Sequence, residues 1–285
     1  GSGLVGSEMC IRDSDKERLD AALVTRGLAQ SREKAQALIL SGCVFVGGQR
    51  ASKASQQVAP ADELTVRGAP FPYVSRGGLK LEKAMEVFQL DVRDAVAMDV
   101  GASTGGFTDV LLRAGARRVY AIDVGYGQLD WKLRNDPRVT VMERTNARYL
   151  TPSDFPEPPT LGVMDVSFIS IRLILPALRA ILGPSGRVVT LVKPQFEAGR
   201  ERVGKKGVVR DASVHCEVLR SLLDYAGRNG WCVRAASFSP ITGPEGNIEF
   251  LFDISPAQND GSTLTDADVE SVVQAAHRAF GREGL

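Results

Sequence analysis

The sequence predicts an α/β protein: a doubly wound domain built on a seven-stranded, mostly parallel sheet, preceded by a small α+β module. Three observations carry this. A short apolar run ending at Val100 meets a glycine-rich turn, Gly101-Ala-Ser-Thr-Gly105-Gly106, and a helical pattern begins at once. Such a strand, turn and helix start opens domains whose ligands bind outside the carboxyl ends of parallel strands. Strand-like and helix-like stretches then alternate, which predicts a parallel sheet covered by helices on both faces. Finally, strand-like stretches at 232–239 and 247–254 are separated only by residues 240–246. So short a connection suits an antiparallel hairpin at the sheet edge rather than a crossover.

Composition sets the outer limits. A chain of 285 residues, 44% hydrophobic and 24% charged, is ordinary for a globular protein with one large domain and one small one. The formal net charge of +1 gives no global signal for nucleic acid, so local patterns must carry that argument. The most apolar stretch, around Leu173–Leu182, is interrupted by Pro176 and Arg179; no membrane span is expected, and the expectation is a soluble, cytoplasmic protein. Cys10, Cys43, Cys216 and Cys232 form no C-x-x-C pair, which points to reduced thiols rather than to zinc or a disulfide framework. Residues 1–14 have no periodicity and resemble a tag scar joined to translated adapter sequence.

In chain order, Leu19, Ala22 and Leu23 mark one face of a first helix that Gly27 stops, and Ser31 caps a second helix from Arg32 to Leu40. Val44–Val46 and Leu64–Val66 read as short strands, with a turn at Gly47-Gly48. Residues 18–66, with Arg18-Leu-Asp, Ala29-Gln-Ser-Arg32, Leu38-Ile39-x-x-Gly42-x-Val44 and Asp62-Glu-Leu-Thr-Val66, resemble an S4 RNA-binding domain. The resemblance implies that Arg18, Arg26, Ser31, Arg32 and Lys34 face RNA, and Arg76 is added to this set. The alternative is a set of solvated helix charges, since residues 15–70 hold eight basic and six acidic side chains. The module is assigned to 15–68 and a proline-marked linker to 69–74.

The large domain is assigned to 75–256. A helix over 74–88 leads into a first strand at 95–100, followed by strands at 119–124, 139–142, 161–165 and 186–192, and helices at 171–181 and 212–229. The closing hairpin is the ending of the seven-stranded class I methyltransferase arrangement rather than of the six-stranded dinucleotide fold. A linker and last helix occupy 257–285, where Thr265-Asp-Ala-Asp268 resembles a capping box.

The turn reads G-x-x-x-G-G, not the dinucleotide pattern G-x-G-x-x-G. A pyrophosphate needs a free helix N-terminus, whereas Asp99 at the mouth of the turn suits a cationic or zwitterionic ligand, of which S-adenosylmethionine is one. Asp123 closes the next strand about 20 residues on, where a carboxylate can accept both hydroxyls of a ribose. The candidate cofactor set is Asp99, Gly101, Ala102, Ser103, Gly105, Gly106, Phe107, Asp123, Val124, Asn146 and Asp165. Asn146 is read either beside an adenine or as a turn cap. Two further strands end in a charge, at Asp165 and at Lys193-Pro194. Burial disfavours an ammonium group, and a carboxylate within an apolar strand, as at Glu249, needs a partner. With Lys80 before the first strand, the order is Lys, Asp, Lys, Glu. Lys83 and Glu245 are the alternatives to Lys80 and Glu249.

That order, with Ser75-Arg-Gly-x-x-Lys80, Asp99-Val-Gly-x-x-x-Gly-Gly-Phe107, Asp165-Val-Ser-Phe-Ile-Ser170 and Leu191-Val-Lys-Pro-Gln-Phe-Glu197, resembles the TlyA family, S4-containing relatives of the FtsJ/RrmJ ribose 2′-O-methyltransferases. The resemblance spans about residues 16–255. It implies methyl transfer from S-adenosylmethionine to a ribose 2′-hydroxyl, on cytidine of 16S or 23S ribosomal RNA or both, without a metal. It also implies the tetrad Lys80, Asp165, Lys193 and Glu249, with ribosomal RNA or subunits as partner. A ribose hydroxyl must lose its proton as it attacks, and a neutral lysine can accept it. Lys193 is the expected base, Lys80 the neighbouring charge, and the two carboxylates orient the amines. The stretch 193–210, with six basic and two acidic side chains, is read as a loop over the RNA backbone or as a merely solvated loop. A non-catalytic RNA-binding or ribosome-assembly factor would carry the S4 pattern without needing the lysine pair. The family has also been labelled haemolysin, but a pore former needs membrane-active segments, and none is visible.

Overall fold

The computed structural model of the chain describes residues 16–40, 42–51, 53–67, 72–204, 206–257 and 264–281. The tag-like stretch 1–14, Cys10 and part of the 69–74 linker lie outside them. The chain divides into two compact units, residues 1–76 and 77–285.

In the first unit, β1 (Glu17–Arg18), α1 (Leu19–Thr25), α2 (Arg32–Leu40), β2 (Val44–Val46), β3 (Gln49–Arg50), β4 (Gln57–Val58) and β5 (Leu64–Val66) follow in order. β2 pairs antiparallel with β3 and β5, and β1 with β4. The core is small: Leu19, Ala22 and Leu23 from α1 meet Ala35 and Ile39 from α2, with Val44, Ala51, Val58 and Leu64 beneath. The 3.6-residue spacing in α1 and α2 puts these side chains on one face; the charges of α2 at Arg32, Glu33 and Lys34 are exposed, whereas Asp20 of α1 is buried.

The second unit runs α3 (Gly78–Val87), β6 (Val96–Val100), α4 (Gly106–Arg113), β7 (Arg118–Ile122), α5 (Trp131–Arg134), β8 (Val139–Met142), β9 (Leu161–Met164), α6 (Leu175–Leu182), β10 (Arg187–Val192), α7 (Pro194–Glu197), α8 (Ala212–Arg228), β11 (Trp231–Phe238), β12 (Phe250–Pro256) and α9 (Asp266–Ala279). Its seven-stranded sheet has the order β11-β12-β10-β9-β6-β7-β8. The pairs from β10 through β8 are parallel, and β12 lies antiparallel to both β10 and β11. β6 and β9 are buried throughout, as continuous apolar strands covered on both faces must be. Thr265 and Asp268 form the expected capping box at the start of α9.

Two features of this sheet place the site. The chain leaves β6 toward β7 and β8 on one side and returns to β9 on the other, so the carboxyl ends of β6 and β9 flank a topological switch point, where open α/β sheets bind ligands. In addition, the β10–β12 register sets Val192 opposite Phe250. Lys193, leaving β10, and Glu249, entering β12, therefore emerge at the same end of adjacent strands. Glu249 stands one residue before β12, not inside it, and Asp123 follows β7 rather than closing it. Among the described residues no helix is long and apolar enough to cross a membrane.

Candidate active site

At the switch point lies a cavity of about 490 Å³, within the range of small-ligand sites. Ile122, Val166, Ile169 and Ile174 give it an apolar side, while Asp123, Asn146 and Asp165 supply polar groups. Gly101 lines it at φ +84, and a Cβ there would stand 2.5 Å from the Asp165 carbonyl oxygen, so only glycine permits the approach of the β6 and β9 ends. Asp123 accepts hydrogen bonds from Ser103 N at 2.7 Å and from Gly125 N at 2.7 Å, one on each carboxylate oxygen. Each oxygen keeps further acceptor capacity. A rigidly held carboxylate beside an apolar slot fits the ribose and base of a nucleoside.

The structure sorts the predicted turn residues. Gly101, Ser103, Asp123, Val124, Asn146 and Asp165 line the cavity; Asp99, Ala102, Gly105, Gly106 and Phe107 do not. Asp99 is not at the mouth of the turn. It is fully buried within β6, Thr108 Oγ1 donates to its Oδ2 at 2.7 Å, and burial pushes its carboxyl up to about 7. Gly105 serves packing: it sits at φ +96, and a Cβ would lie 2.3 Å from Leu133 and 2.8 Å from Leu129. Ala102, Gly106 and Phe107 are buried at the turn and in the first turn of α4. Asn146 is a turn cap, its side chain accepting from Arg148 N at 3.1 Å, and the residue also lines the cavity.

The four tetrad residues meet although they are scattered along the chain. Lys80 Nζ lies 2.6 Å from Glu249 Oε2 and 3.1 Å from Asp165 Oδ2. Lys193 Nζ lies 2.6 Å from Asp165 Oδ1 and donates to Ser167 Oγ at 2.9 Å. The two 2.6 Å contacts are ion contacts without in-line hydrogen-bond geometry. Glu249 and both lysine side chains are buried, and Asp165 is mostly so. Burial works against the charge on Lys80, but Asp165 and Glu249 outweigh it and raise its pKa above the ordinary lysine value. Burial likewise acts to raise Asp165, and the charges of Lys80 and Lys193 overcome it, holding the carboxyl below its usual range. The alternatives lie elsewhere: Lys83 reaches Glu86 at 3.4 Å on the helix surface, and Glu245 is exposed in the hairpin turn.

In the first unit, Asp20 is buried and receives Arg18 Nε and Nη2, Arg32 Nη2 and Gln36 Nε2, at 2.9–3.0 Å. The Arg18 hydrogen bonds lead in holding its carboxyl well below the usual range, against burial. Arg18 and Arg32 still present 44% and 56% of their side-chain surface to solvent, so each can pair inward and reach outward. Ser31 Oγ accepts from Lys34 N at 3.3 Å as the cap of α2, and Lys34 Nζ reaches Gln30 on the exposed face. Arg26 has a different task from the one expected. It donates to the carbonyls of Ala59 at 2.8 Å and Asp62 at 2.6 Å, bracing the turn before β5. Arg76 is partly buried just ahead of α3.

Sequence reasoning missed Ser167, the hydroxyl partner of Lys193, and the cavity-lining Gln128, Thr145 and Phe168. Ser167 and Phe168 were within reach, because the motif Asp165-Val-Ser-Phe-Ile-Ser170 follows a strand end directly. Gln128 carries no local signal.

The strand order, the cavity at the β6–β9 switch point and the buried tetrad define a class I methyltransferase domain. The family pattern of FtsJ-like methyltransferases matches residues 73–254, and that of the S4 domain matches residues 17–64. The chain belongs to the FtsJ-like methyltransferase family, in its S4-containing TlyA group. It is 52% identical over 270 residues to a candidate rRNA methyltransferase of Bacillus subtilis, YqxC, covering 94% of this chain and 96% of that protein. It is 47% identical over 268 residues to the 16S/23S rRNA (cytidine-2′-O)-methyltransferase TlyA of Mycobacterium tuberculosis, covering 93% and 97%. A solved structure from Streptococcus thermophilus, described as a candidate hemolysin, matches with a TM-score of 0.76 and 47% identity over 94% of this chain and 98% of that one.

Proposed function

We propose that this methyltransferase uses S-adenosylmethionine to methylate the ribose 2′-hydroxyl of cytidine in 16S or 23S ribosomal RNA, or in both. The observation that carries this reading is Asp165, which lines the nucleoside-sized cavity and also holds both buried lysines. Cofactor slot and lysine pair thus share a wall, as transfer from a cofactor to a hydroxyl requires. The activity named for the Mycobacterium tuberculosis relative supports the choice of nucleotide.

Bound S-adenosylmethionine would supply an electrophilic sulfonium methyl group. The cavity residues suit its nucleoside: Asp123 for the ribose hydroxyls, Asn146 and the apolar side for the base. Lys80, clasped by two carboxylates, stays an ammonium ion and so cannot accept a proton. Lys193 shares one of those carboxylates and otherwise faces a hydroxyl. It is the group placed to take the 2′-proton as the oxygen attacks. Asp165 and Ser167 fix its nitrogen, and Glu249 keeps Lys80 in place. Holding the nucleophile in line is worth up to about 7–11 kcal/mol in well-oriented systems. In the first unit, Arg18, Arg32 and Lys34 offer outward charge to RNA phosphates. The soluble, cytoplasmic expectation fits a ribosomal substrate.

The test is transfer of labelled methyl groups from S-adenosylmethionine to each purified, unmodified ribosomal subunit, followed by mapping of the modified nucleotide. Label in 2′-O-methylcytidine supports the proposal. Label in a base, in protein or in neither subunit would overturn it.

A further inference from the structure

Glu197 closes α7, the short helix that follows Lys193 directly, and its side chain is only 2% exposed. One carboxylate oxygen accepts from Ser170 Oγ at 2.8 Å, the other from Ile171 N at 2.9 Å, and Arg172 Nε lies at 3.7 Å. These partners sit on the segment that leaves β9 through Asp165, Ser167 and Phe168. A buried carboxylate therefore ties the turn bearing Lys193 to the loop bearing its two partners.

That loop needs a tie. Phe168 stands at φ +64 and is 91% exposed, a left-handed backbone that is strained for a non-glycine residue. Its ring rests on Phe196, 5.1 Å away, on the same short helix as Glu197. Residues 166–169 all line the cavity, whereas Glu197 does not.

We propose that Glu197 is a positioning residue that fixes the 166–171 loop, so that the cavity wall and the Ser167–Lys193 hydrogen bond are set together. This rests on the proposed function for the reaction being positioned. Burial pushes the Glu197 carboxyl above its ordinary range, with Ile171 N and Ser170 opposing. An amide of the same shape can accept from Ile171 N and pair with Ser170.

The test compares Glu197→Gln, Glu197→Ala and Ser170→Ala in the full chain, by hydrogen exchange of the Ile171–Leu173 amides, calorimetry with S-adenosylmethionine, and turnover on ribosomal subunits. Glu197→Ala should speed exchange, weaken cofactor binding several-fold and lower kcat roughly 10- to 100-fold, the scale of a small misplacement of reacting groups. Glu197→Gln should stay within about threefold of wild type, since the hydrogen bonds survive. Ser170→Ala, which removes the bond to Glu197 together with the cap that Ser170 Oγ offers Arg172 N, and leaves α7 and the Ile171 N bond intact, should fall between. Unchanged exchange in Glu197→Ala overturns the tie. Faster exchange with normal kcat and affinity, or no rescue by Glu197→Gln, overturns the positioning role. A wild-type chain that transfers no methyl group would count against the proposed function and end the positioning role with it, while the exchange comparison still reads the tie itself.

Discussion

Lys193 Nζ stands 2.6 Å from Asp165 Oδ1, on a carboxylate whose other oxygen is occupied by Lys80 at 3.1 Å. The two lysines differ in what else they touch. Lys80 has a second carboxylate, Glu249, at 2.6 Å, whereas Lys193 has the neutral Ser167 hydroxyl at 2.9 Å. Two carboxylates hold the Lys80 amine charged, and the proposed function gives the proton transfer to Lys193.

The first prediction follows from that asymmetry. Lys193→Ala should lower kcat by at least the roughly 10²–10⁴-fold typical of a lost general base, with cofactor and RNA affinity little changed. Lys193→Arg should not restore activity, because arginine keeps the charge but cannot be deprotonated. Near-normal turnover in Lys193→Arg would remove the base assignment.

Asp123 is the test of the cofactor slot. Calorimetry should show binding of S-adenosylmethionine that falls markedly in Asp123→Ala, with no binding of NADH. Asp123 also anchors Ser103 N and Gly125 N, so Asp123→Asn, which preserves one amide-accepting oxygen, should lose less. Equal affinity in all three proteins would take Asp123 out of the site.

For RNA, the Asp20 cluster complicates simple charge removal. Replacing Arg18 and Arg32 together by glutamine should weaken RNA binding and lower the slope of log K against log salt by about one per lost phosphate contact. It should also lower the melting temperature, because buried Asp20 loses its two arginines. Filter binding across a salt series reads the first effect and thermal unfolding the second. An unchanged salt slope would mean that these arginines serve only Asp20.

Asp99 gives a pH prediction. Burial raises its carboxyl to about 7 in the fold from an ordinary 3.8, so the folded state binds a proton that the unfolded chain releases, and stability falls as pH rises between those values. The contribution is intact below about pH 4 and gone above about pH 7. Asp99→Asn cannot ionise, yet its amide oxygen can still accept from Thr108. It should therefore change stability little at pH 4.5 and raise it at pH 8, by an upper limit on the order of 4 kcal/mol, which thermal unfolding at the two pH values reads. An equal gain at both pH values would contradict the burial argument.

Much of this was written locally. The alternation of apolar runs with helical patterns, the short link before β12 and the charges that end β9 and β10 are read within windows of ten residues or so, since backbone periodicity decides them. The S4 module and the tetrad were legible in another way, through the family resemblance that the ordered motifs carry. Tertiary structure decided which of chemically equal candidates is used. Gly101 and Gly105 share a turn, but Gly101 faces the cavity, while Gly105 is required by Leu129 and Leu133. Lys80 and Lys83 share a helix, and only Lys80 meets a carboxylate 85 residues away. Arg26 looked like its neighbours until its guanidinium found carbonyls more than 30 residues on. An aspartate after an apolar run, as at Asp99, reads as a strand end, yet the sheet buries it. The physical reason is the same in each case: periodicity fixes which face a side chain takes within its own element, but desolvation and pairing depend on what distant chain folds against that face.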